Sequence, residues 1–420
     1  MLDRKLLRKD PQKVLEAAEK KGEPCPIDRW TELDENRRRL LTETEDLRRR
    51  RNELSKEVSS LKKNGEDAEQ QILESRRIGK RIGSIEGDLG SIEEELGRIE
   101  LEFPNIPDPE VPVGKHDSFN RVLRSTGEKP LFDHKPLPHW EILSNSFDQE
   151  AAGAITGSNF VLLRGWAARL QRILINWMMD FNSASGIEEV WFPFIAGRES
   201  MTATGQIPKL EDDMYHIEKD DLFLVPTGEV PLTNIFRDAI LTEDQLPVTL
   251  CGYSPCFRRE AGSYGKDTRG LNRVHQFEKV EMVRLVRPEE SESALEDMTG
   301  HVEKMLQLLE LPYRVSMLAT GDLSFAAAKC YDLEVWSAGQ EKWLEVSSVS
   351  NFRDFQARRA NIRYRPSGGG RPRFVNTLNG SALALPRVMA AIIENGQTSD
   401  GGVKLPGVIA ERFGRELVEK

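Results

Sequence analysis

The densest chemistry in the sequence lies between Phe257 and Glu281. Arg258-Arg259-Glu260 leads into Gly262, Gly265 and Gly270, with Lys266, Arg269 and Arg273 interspersed, and the run closes on His275-Gln276-Phe277-Glu278-Lys279-Val280-Glu281. The two ends read as strands and the middle as a glycine-bearing basic loop. Guanidinium groups present paired N–H donors in the geometry that phosphate oxygens accept, so such a loop can close over a polyphosphate. A solvated hairpin has the same composition, and both readings stand on these residues alone. A P-loop is excluded, because no G-x-x-x-x-G-K-[ST] run occurs.

The elements that must hold this loop fall into three regions. After a short helical stretch (Pro11 to Lys20), residues 31–103 carry two heptad patterns. Leu33, Leu40, Leu47, Leu54 and Leu61 recur every seven residues, and Ile78, Ile82, Ile85, Leu89, Ile92, Leu96, Ile99 and Phe103 alternate steps of four and three. Lys62-Lys63-Asn64-Gly65-Glu66-Asp67 reads as a turn between them. The expectation is an antiparallel helical hairpin over about 31–62 and 67–103. Arg37 and Arg51 fall at seam positions, and Gly79, Gly83, Gly87, Gly90 and Gly97 interrupt the second helix. Each interior glycine costs about 1 kcal/mol relative to alanine, so the hairpin is expected to be marginal and mobile. The pattern suits an oligomerisation coiled coil or an arm that reaches a partner. Arg37–Arg39 and Arg48–Arg51 give the first helix two basic clusters able to meet phosphates.

Pro104, Pro107, Pro109 and Pro112 predict an extended linker over 104–134. From 135 to 420 helical stretches (Gly165 to Phe181, Glu289 to Leu311) alternate with β-type runs that adjoin without crossover helices. That pattern predicts an α+β domain, an antiparallel sheet with helices packed on it.

Bulk properties narrow the class. A net charge of −10 rules out a basic field over the whole surface, so any nucleic-acid partner must meet a local patch. No apolar run is long enough to span a membrane and the Met1-Leu2-Asp3-Arg4-Lys5 start lacks a signal-peptide core, so a cytoplasmic protein with no membrane partner is expected. Cys25, Cys251, Cys256 and Cys330 form no C-x-x-C pair, so neither a zinc site nor a redox motif is expected.

The 257–281 segment resembles motif 2 of the class II aminoacyl-tRNA synthetases. Its Gly262-Ser263-Tyr264-Gly265, Asp267-Thr268-Arg269-Gly270-Leu271 and His275-Gln276-Phe277 are similar to the seryl-tRNA synthetase family of bacterial type in particular. The likeness extends over nearly the whole chain. It takes in Met1-Leu2-Asp3 and Arg51-Asn52-Glu53-Leu54-Ser55-Lys56, then Thr204-Gly205-Gln206 and Thr227-Gly228-Glu229-Val230-Pro231. Gly186 to Pro193 resembles motif 1, with Pro193 at the dimer-forming proline, and Asn379-Gly380-Ser381-Ala382-Leu383-Ala384 through Arg387 resembles motif 3.

The resemblance implies a class II catalytic domain over 135–420 and a tRNA-binding coiled-coil arm over 1–103. It implies ATP-dependent formation of seryl-adenylate, then transfer of L-serine to the terminal adenosine of tRNA(Ser), with tRNA(Sec) as a second acceptor, by a homodimer. Thr227 and Glu229, with Gly228, would take the ammonium of serine, and Glu281 and Ser381 its hydroxyl. Arg258 would bridge the serine carboxylate and the α-phosphate, and Arg387 would hold the far end of the triphosphate, making these the two catalytic residues. Arg259, Glu260, Val274, Phe277, Val346 and Ser347 complete the implied ATP site, with Glu260 on the adenine amino group and Phe277 against the ring. Glu345 and Ser348 would ligate Mg²⁺ through oxygen. Phe192, Gly396 and Asn159 depart from residues common in the family, and none is an implied substrate contact. Two other readings are a ligase that loads a small amino acid onto a carrier protein and a non-catalytic RNA-binding scaffold. The arm speaks against the first; Arg258, Glu260, Glu345 and Arg387 speak against the second.

Overall fold

A computed structural model describes residues 1–260 and 269–419. The chain forms two compact units, one of Leu2–Glu19 with Glu23–Pro104, the other of Asn105–Lys420 with Met1 and Lys20–Gly22.

The first unit is helical. A short helix α1 (Arg4–Lys9) and a second, α2 (Pro11–Lys21), precede two long helices, α3 (Ile27–Lys63) and α4 (Glu69–Glu100). The turn between the long helices is closed by backbone geometry. Gly65 adopts φ 75°, Glu66 N–H donates to Leu61 O at 2.9 Å and Gly65 N–H to Lys62 O at 3.3 Å. This is the Schellman pattern, which needs a left-handed residue just past the helix end. Leu33, Leu40 and Leu54 are buried on α3; Ile78, Ile82, Ile85, Ile92, Leu96 and Ile99 are buried on α4. Leu47 and Leu61 are only half-buried.

The seam departs from a strict heptad. Asp34 and Thr44 are buried along α3, whereas Arg51 is exposed and Arg37 turns to Glu93. A straight helix drifts against a seven-residue repeat, so the buried stripe migrates from one position to its neighbour. Cross-hairpin ion pairs flank the stripe: Arg29–Glu95 at 2.7 Å, Arg81–Glu43 and Arg48–Glu86 at 2.8 Å, and Arg50–Glu74 at 3.1 Å. The basic clusters are therefore largely occupied within the hairpin. Arg38 pairs with Asp34 at 3.2 Å and Arg49 with Asp46 at 2.7 Å, while Arg39 donates to the Asn36 amide. A Cβ added at Gly79, Gly83, Gly87, Gly90 or Gly97 would meet nothing within 4 Å, so these glycines lie off the seam.

The second unit is built on an eight-stranded sheet. Its strands in chain order are β1 (Arg121–Thr126), β2 (Glu188–Glu189), β3 (Val248–Phe257), β4 (Gln276–Val286), β5 (Tyr313–Met317), β6 (Lys329–Ser337), β7 (Lys342–Asn351) and β8 (Asn376–Ala384). They lie in the order β1-β5-β6-β7-β8-β4-β3-β2, antiparallel throughout except for the β2–β3 edge. Residues 104–134 are thus more than a linker. Arg121–Thr126 pairs with β5, and before it Asn105 and Asp108 donate backbone N–H groups to Phe325 O and Ala328 O. Prolines confine the start of the segment, but its later residues supply a strand edge.

Helices α5 (Gly165–Ala184), α8 (Ser291–Leu308) and α10 (Leu385–Asn395) bury Leu170, Leu174, Leu295, Val302, Val388 and Ile392 in one core with Val280 and Met282 of β4. Successive side chains of a strand point to opposite faces. The odd positions of β4 (Phe277, Lys279, Glu281) therefore face away from this helical core, and the functional cleft lies on their side. Three short helices, α6 (Arg198–Thr204), α7 (Glu229–Asn234) and α9 (Phe355–Ala360), belong to this unit as well. Phe192 fits because Gly252 has no side chain, since a Cβ there would lie 2.4 Å from the ring.

Candidate active site

A cleft of about 570 Å³ opens over the odd-numbered face of β4. Of the implied contacts, Thr227, Glu229, Arg258, Glu260, Val274, Phe277, Glu345, Val346, Ser348, Ser381 and Arg387 line it. Gly228, Arg259, Glu281 and Ser347 do not. The basic loop expected to close over phosphate lies, from Ala261 to Thr268, outside the described residues.

One corner holds buried carboxylates. Glu281 is 1% exposed and lies opposite Ser381 in the β4–β8 register. Its Oε2 accepts from Thr227 Oγ1 at 2.6 Å and pairs with Lys279 Nζ. Lys279 also donates to Thr227 Oγ1 at 2.8 Å. Among the described residues Glu281 Oε1 has no hydrogen-bond partner. The second carboxylate, Glu229, is 6% exposed, and among the described residues its side-chain partner is neutral, the Gln356 amide at 2.6 Å. Thr377 donates to Gln356 Oε1 at 2.7 Å, which fixes the amide orientation. Burial, and then repulsion from Glu281, push the Glu229 carboxyl up to about 7.

The other half of the cleft is cationic and aromatic. The Arg258 guanidinium lies 5.2 Å over the Phe277 ring, with Nε donating to Pro226 O at 3.3 Å. Its backbone is fixed by the His275 carbonyl at 3.0 Å, and His275 N–H donates to Asn159 O at 2.9 Å. Asn159 takes part through its carbonyl at φ 61°, a conformation asparagine tolerates. Glu260 also has positive φ (52°), and its carboxylate meets Arg273 at 2.8 Å. Arg387 NH1 donates to the carbonyl and the carboxylate of Glu345 at 3.0 and 3.1 Å. On β6, burial and then Glu345 of β7 push the half-buried Asp332 carboxyl well above its ordinary range, against an opposing hydrogen bond from Ser348.

Two implied ATP contacts play other parts here. Arg259 stacks on Tyr215 at 4.9 Å and donates to Met214 O at 2.9 Å. Ser347 is buried and donates to the Ser381 carbonyl at 2.6 Å, so it supports the strand carrying Ser381. Arg259 lies just past the end of β3, and Ser347 stands on β7 between Val346 and Ser348, both of which line the cleft. Lys279, Gln356, Arg273 and Asp332 were not singled out from the sequence. Lys279 was legible, because it shares strand parity with Phe277 and Glu281. Gln356 reaches Glu229 from α9 across 127 positions, and no local pattern signals that.

The fold and this site define a class II aminoacyl-tRNA synthetase. The tRNA synthetase class II core domain (G, H, P, S and T) matches residues 210–396, and the seryl-tRNA synthetase N-terminal domain matches residues 1–107. Serine–tRNA ligases of Thermomicrobium roseum and Natranaerobius thermophilus are 51% and 50% identical to the chain, over 99% and 100% of it and 94% and 100% of their own lengths. The crystal structure of seryl-tRNA synthetase from Pyrococcus horikoshii complexed with ATP superposes with TM-score 0.95 at 36% identity, covering 100% of this chain and 99% of that one. The chain belongs to the seryl-tRNA synthetase family.

Proposed function

We propose that the cleft joins L-serine to ATP and that the enzyme passes serine on to tRNA(Ser). The observation that carries the amino-acid half is the unequal pair of carboxylates. Glu281 already has Lys279 as a counter-ion, whereas among the described residues Glu229 is bonded to a neutral amide. An incoming ammonium gains most beside Glu229, with Thr227 adjacent. Ser381 in the cleft lining, with Glu281 opposite it and its Oε1 unpartnered among the described residues, then suits the serine hydroxyl, which both donates and accepts. Alanine would leave that buried oxygen unsatisfied, a strong ground for rejection.

In the first step a carboxylate oxygen of serine attacks the α-phosphorus of ATP. The P–O bond to the β-phosphate breaks, pyrophosphate leaves with that electron pair, and seryl-adenylate remains. Arg258 lies between the two corners and stabilises charge developing on the α-phosphate, while Phe277 offers a face to adenine and Arg387 meets the outer phosphates. In the second step a ribose hydroxyl of the terminal adenosine attacks the seryl carbonyl, loses its proton and releases AMP. Glu345 and Ser348 offer only oxygen donors, which fits Mg²⁺; when bound, it would neutralise phosphate charge. In this reading Glu260 contacts the adenine amino group by exchanging its Arg273 partner.

The same proposal makes residues 1–103 the tRNA-binding arm, makes the enzyme a cytoplasmic homodimer, and adds tRNA(Sec) as an acceptor. Motif 1 supports the dimer, since Trp191 beside Pro193 is 79% exposed. The test is a chain lacking residues 31–103, offered tRNA(Ser), tRNA(Sec) and an acyl-carrier protein beside the full chain. The full chain should load both tRNAs and not the carrier. The shortened chain should keep serine-dependent pyrophosphate exchange and lose charging; charging by the shortened chain would refute the arm assignment.

A further inference from the structure

A second buried carboxylate cluster lies outside all the contacts above. Glu394, near the end of α10 and about two turns beyond Arg387, is 0% exposed. It accepts from His139 N at 3.0 Å, His139 Nδ1 at 2.7 Å, Gln340 Nε2 at 2.8 Å, Gly339 N at 3.0 Å and the Ser337 hydroxyl. Burial alone would raise this carboxyl, but the donors, His139 first among them, outweigh it and hold it below the usual carboxylate range. A buried charge of this kind is weak support for stability, since apolar replacements often fold as well. Its partners suggest another role.

Two of the three side chains that hold Glu394, His139 and Gln340, reach on to the exit of the basic loop. His139 Nε2 accepts the Leu271 backbone N–H at 2.8 Å, and Gln340 Oε1 accepts from Asn272 Nδ2 at 2.7 Å. Because Leu271 must donate to Nε2, the ring proton sits on Nδ1 and points at Glu394. His139 itself is 0% exposed. Gly270 adopts φ 64°, and a Cβ there would lie 2.2 Å from His139 Nε2, so the ring is seated against backbone. Leu271 and Asn272 both line the cleft, and the Asn272 carbonyl accepts from Arg387 Nε at 3.3 Å. Hydrogen bonds and the α10 backbone thus close a ring through Arg387, Asn272, Gln340 and Glu394.

We propose that His139, Gln340 and Glu394 form a positioning device for nucleotide binding, anchoring the C-terminal end of the basic loop to the helix that carries Arg387. The inference rests on the reading that this half of the cleft takes ATP. The three residues touch no substrate; they fix where Asn272 and Arg387 stand.

Two substitutions at His139 separate its donor contact to Glu394 from its acceptor contact to Leu271. His139→Asn retains a donor toward Glu394 but leaves the buried Leu271 N–H without an acceptor. His139→Gln carries an oxygen near the Nε2 position. In serine-dependent ATP–pyrophosphate exchange by the full chain, His139→Asn should raise KM for ATP by about tenfold or more, leave KM for serine within about twofold, and be rescued by His139→Gln. Equal KM values for ATP in wild type and both variants would overturn the proposal, as would parallel rises for ATP and serine. Should the His139 variants fail to fold, Gln340→Leu removes only the second link: a selective rise in KM for ATP supports the proposal and an unchanged one overturns it. A wild-type chain without serine-dependent exchange would refute the underlying reading instead.

Discussion

The helical hairpin and the cleft use the same residue types in opposite ways. In the hairpin, carboxylates and arginines sit at the edges of an apolar stripe, exposed and paired across α3 and α4. Arg48 and Glu86 are each more than half exposed. Such pairs contribute about 0–1 kcal/mol each and can exchange partners readily. Around the cleft, Glu229, Lys279 and Glu281 are almost wholly buried, and each hydrogen bond decides what the next group can do. Charge at the hairpin surface stays in solvent and can re-pair; charge in the cleft is fixed by its neighbours. Substitutions in the two regions should therefore differ in size and in kind.

The largest effect is expected at Arg258. Arg258→Ala should lower adenylate formation by at least ~10²-fold, read as single-turnover pyrophosphate release with serine. A near-normal rate would remove Arg258 from the transition state. Next comes Glu281. Glu281→Ala removes the carboxylate assigned to the hydroxyl, so discrimination between serine and alanine should fall by roughly 10- to 100-fold, measured as the ratio of kcat/KM values. Retained discrimination would move hydroxyl recognition elsewhere.

Glu229 gives a pH signature. Its carboxyl is raised to about 7, so it must lose a proton before it can hold an ammonium. KM for serine should rise as pH falls below about 7, by up to tenfold per unit, and Glu229→Gln should abolish that dependence along with most serine affinity. The stability sign is opposite to that of a salt-bridged acid. The folded state binds this proton more tightly than the unfolded state, so the penalty is absent below the ordinary glutamate value of 4.5, grows with pH, and is complete above about 7. Glu229→Gln should raise the melting temperature at pH 8 and leave it nearly unchanged at pH 4.

The smallest effect is expected in the hairpin. Gly83→Ala and Gly87→Ala should each stabilise α4 by about 1 kcal/mol, since the added methyl meets nothing and helix propensity improves. Hydrogen exchange across α4 would report this, while serine-dependent pyrophosphate exchange should stay unchanged. A loss of exchange there would break the division between the two regions.

The same contrast governs what the sequence made legible. Heptads and the turn at Asn64-Gly65 are local patterns, so the hairpin could be read from spacing. Its ion pairs could not, because register across two helices depends on the drifting seam that buries Asp34 and Thr44. In the cleft, Arg258, Phe277 and Glu281 stood out through resemblance, and strand parity explains why they serve one face. The Gln356–Glu229 and His139–Glu394 contacts are each made by residues far apart in sequence, Asp332 meets Glu345 through the β6–β7 pairing, and β1 was hidden in a proline-led segment. Arg259 and Ser347 show the converse: a matched motif marks a neighbourhood, and the Met214 and Ser381 carbonyls that these two side chains reach keep them out of the cleft lining.

The central claim is that the unequal carboxylates, Glu229 and Glu281, make this cleft a serine site. It is tested most directly by ATP–pyrophosphate exchange with the full chain, offered serine, threonine, alanine and proline in turn. Exchange is expected with serine and, at equal concentration, at most a small fraction of that rate with the other three. Exchange with alanine comparable to that with serine would contradict it.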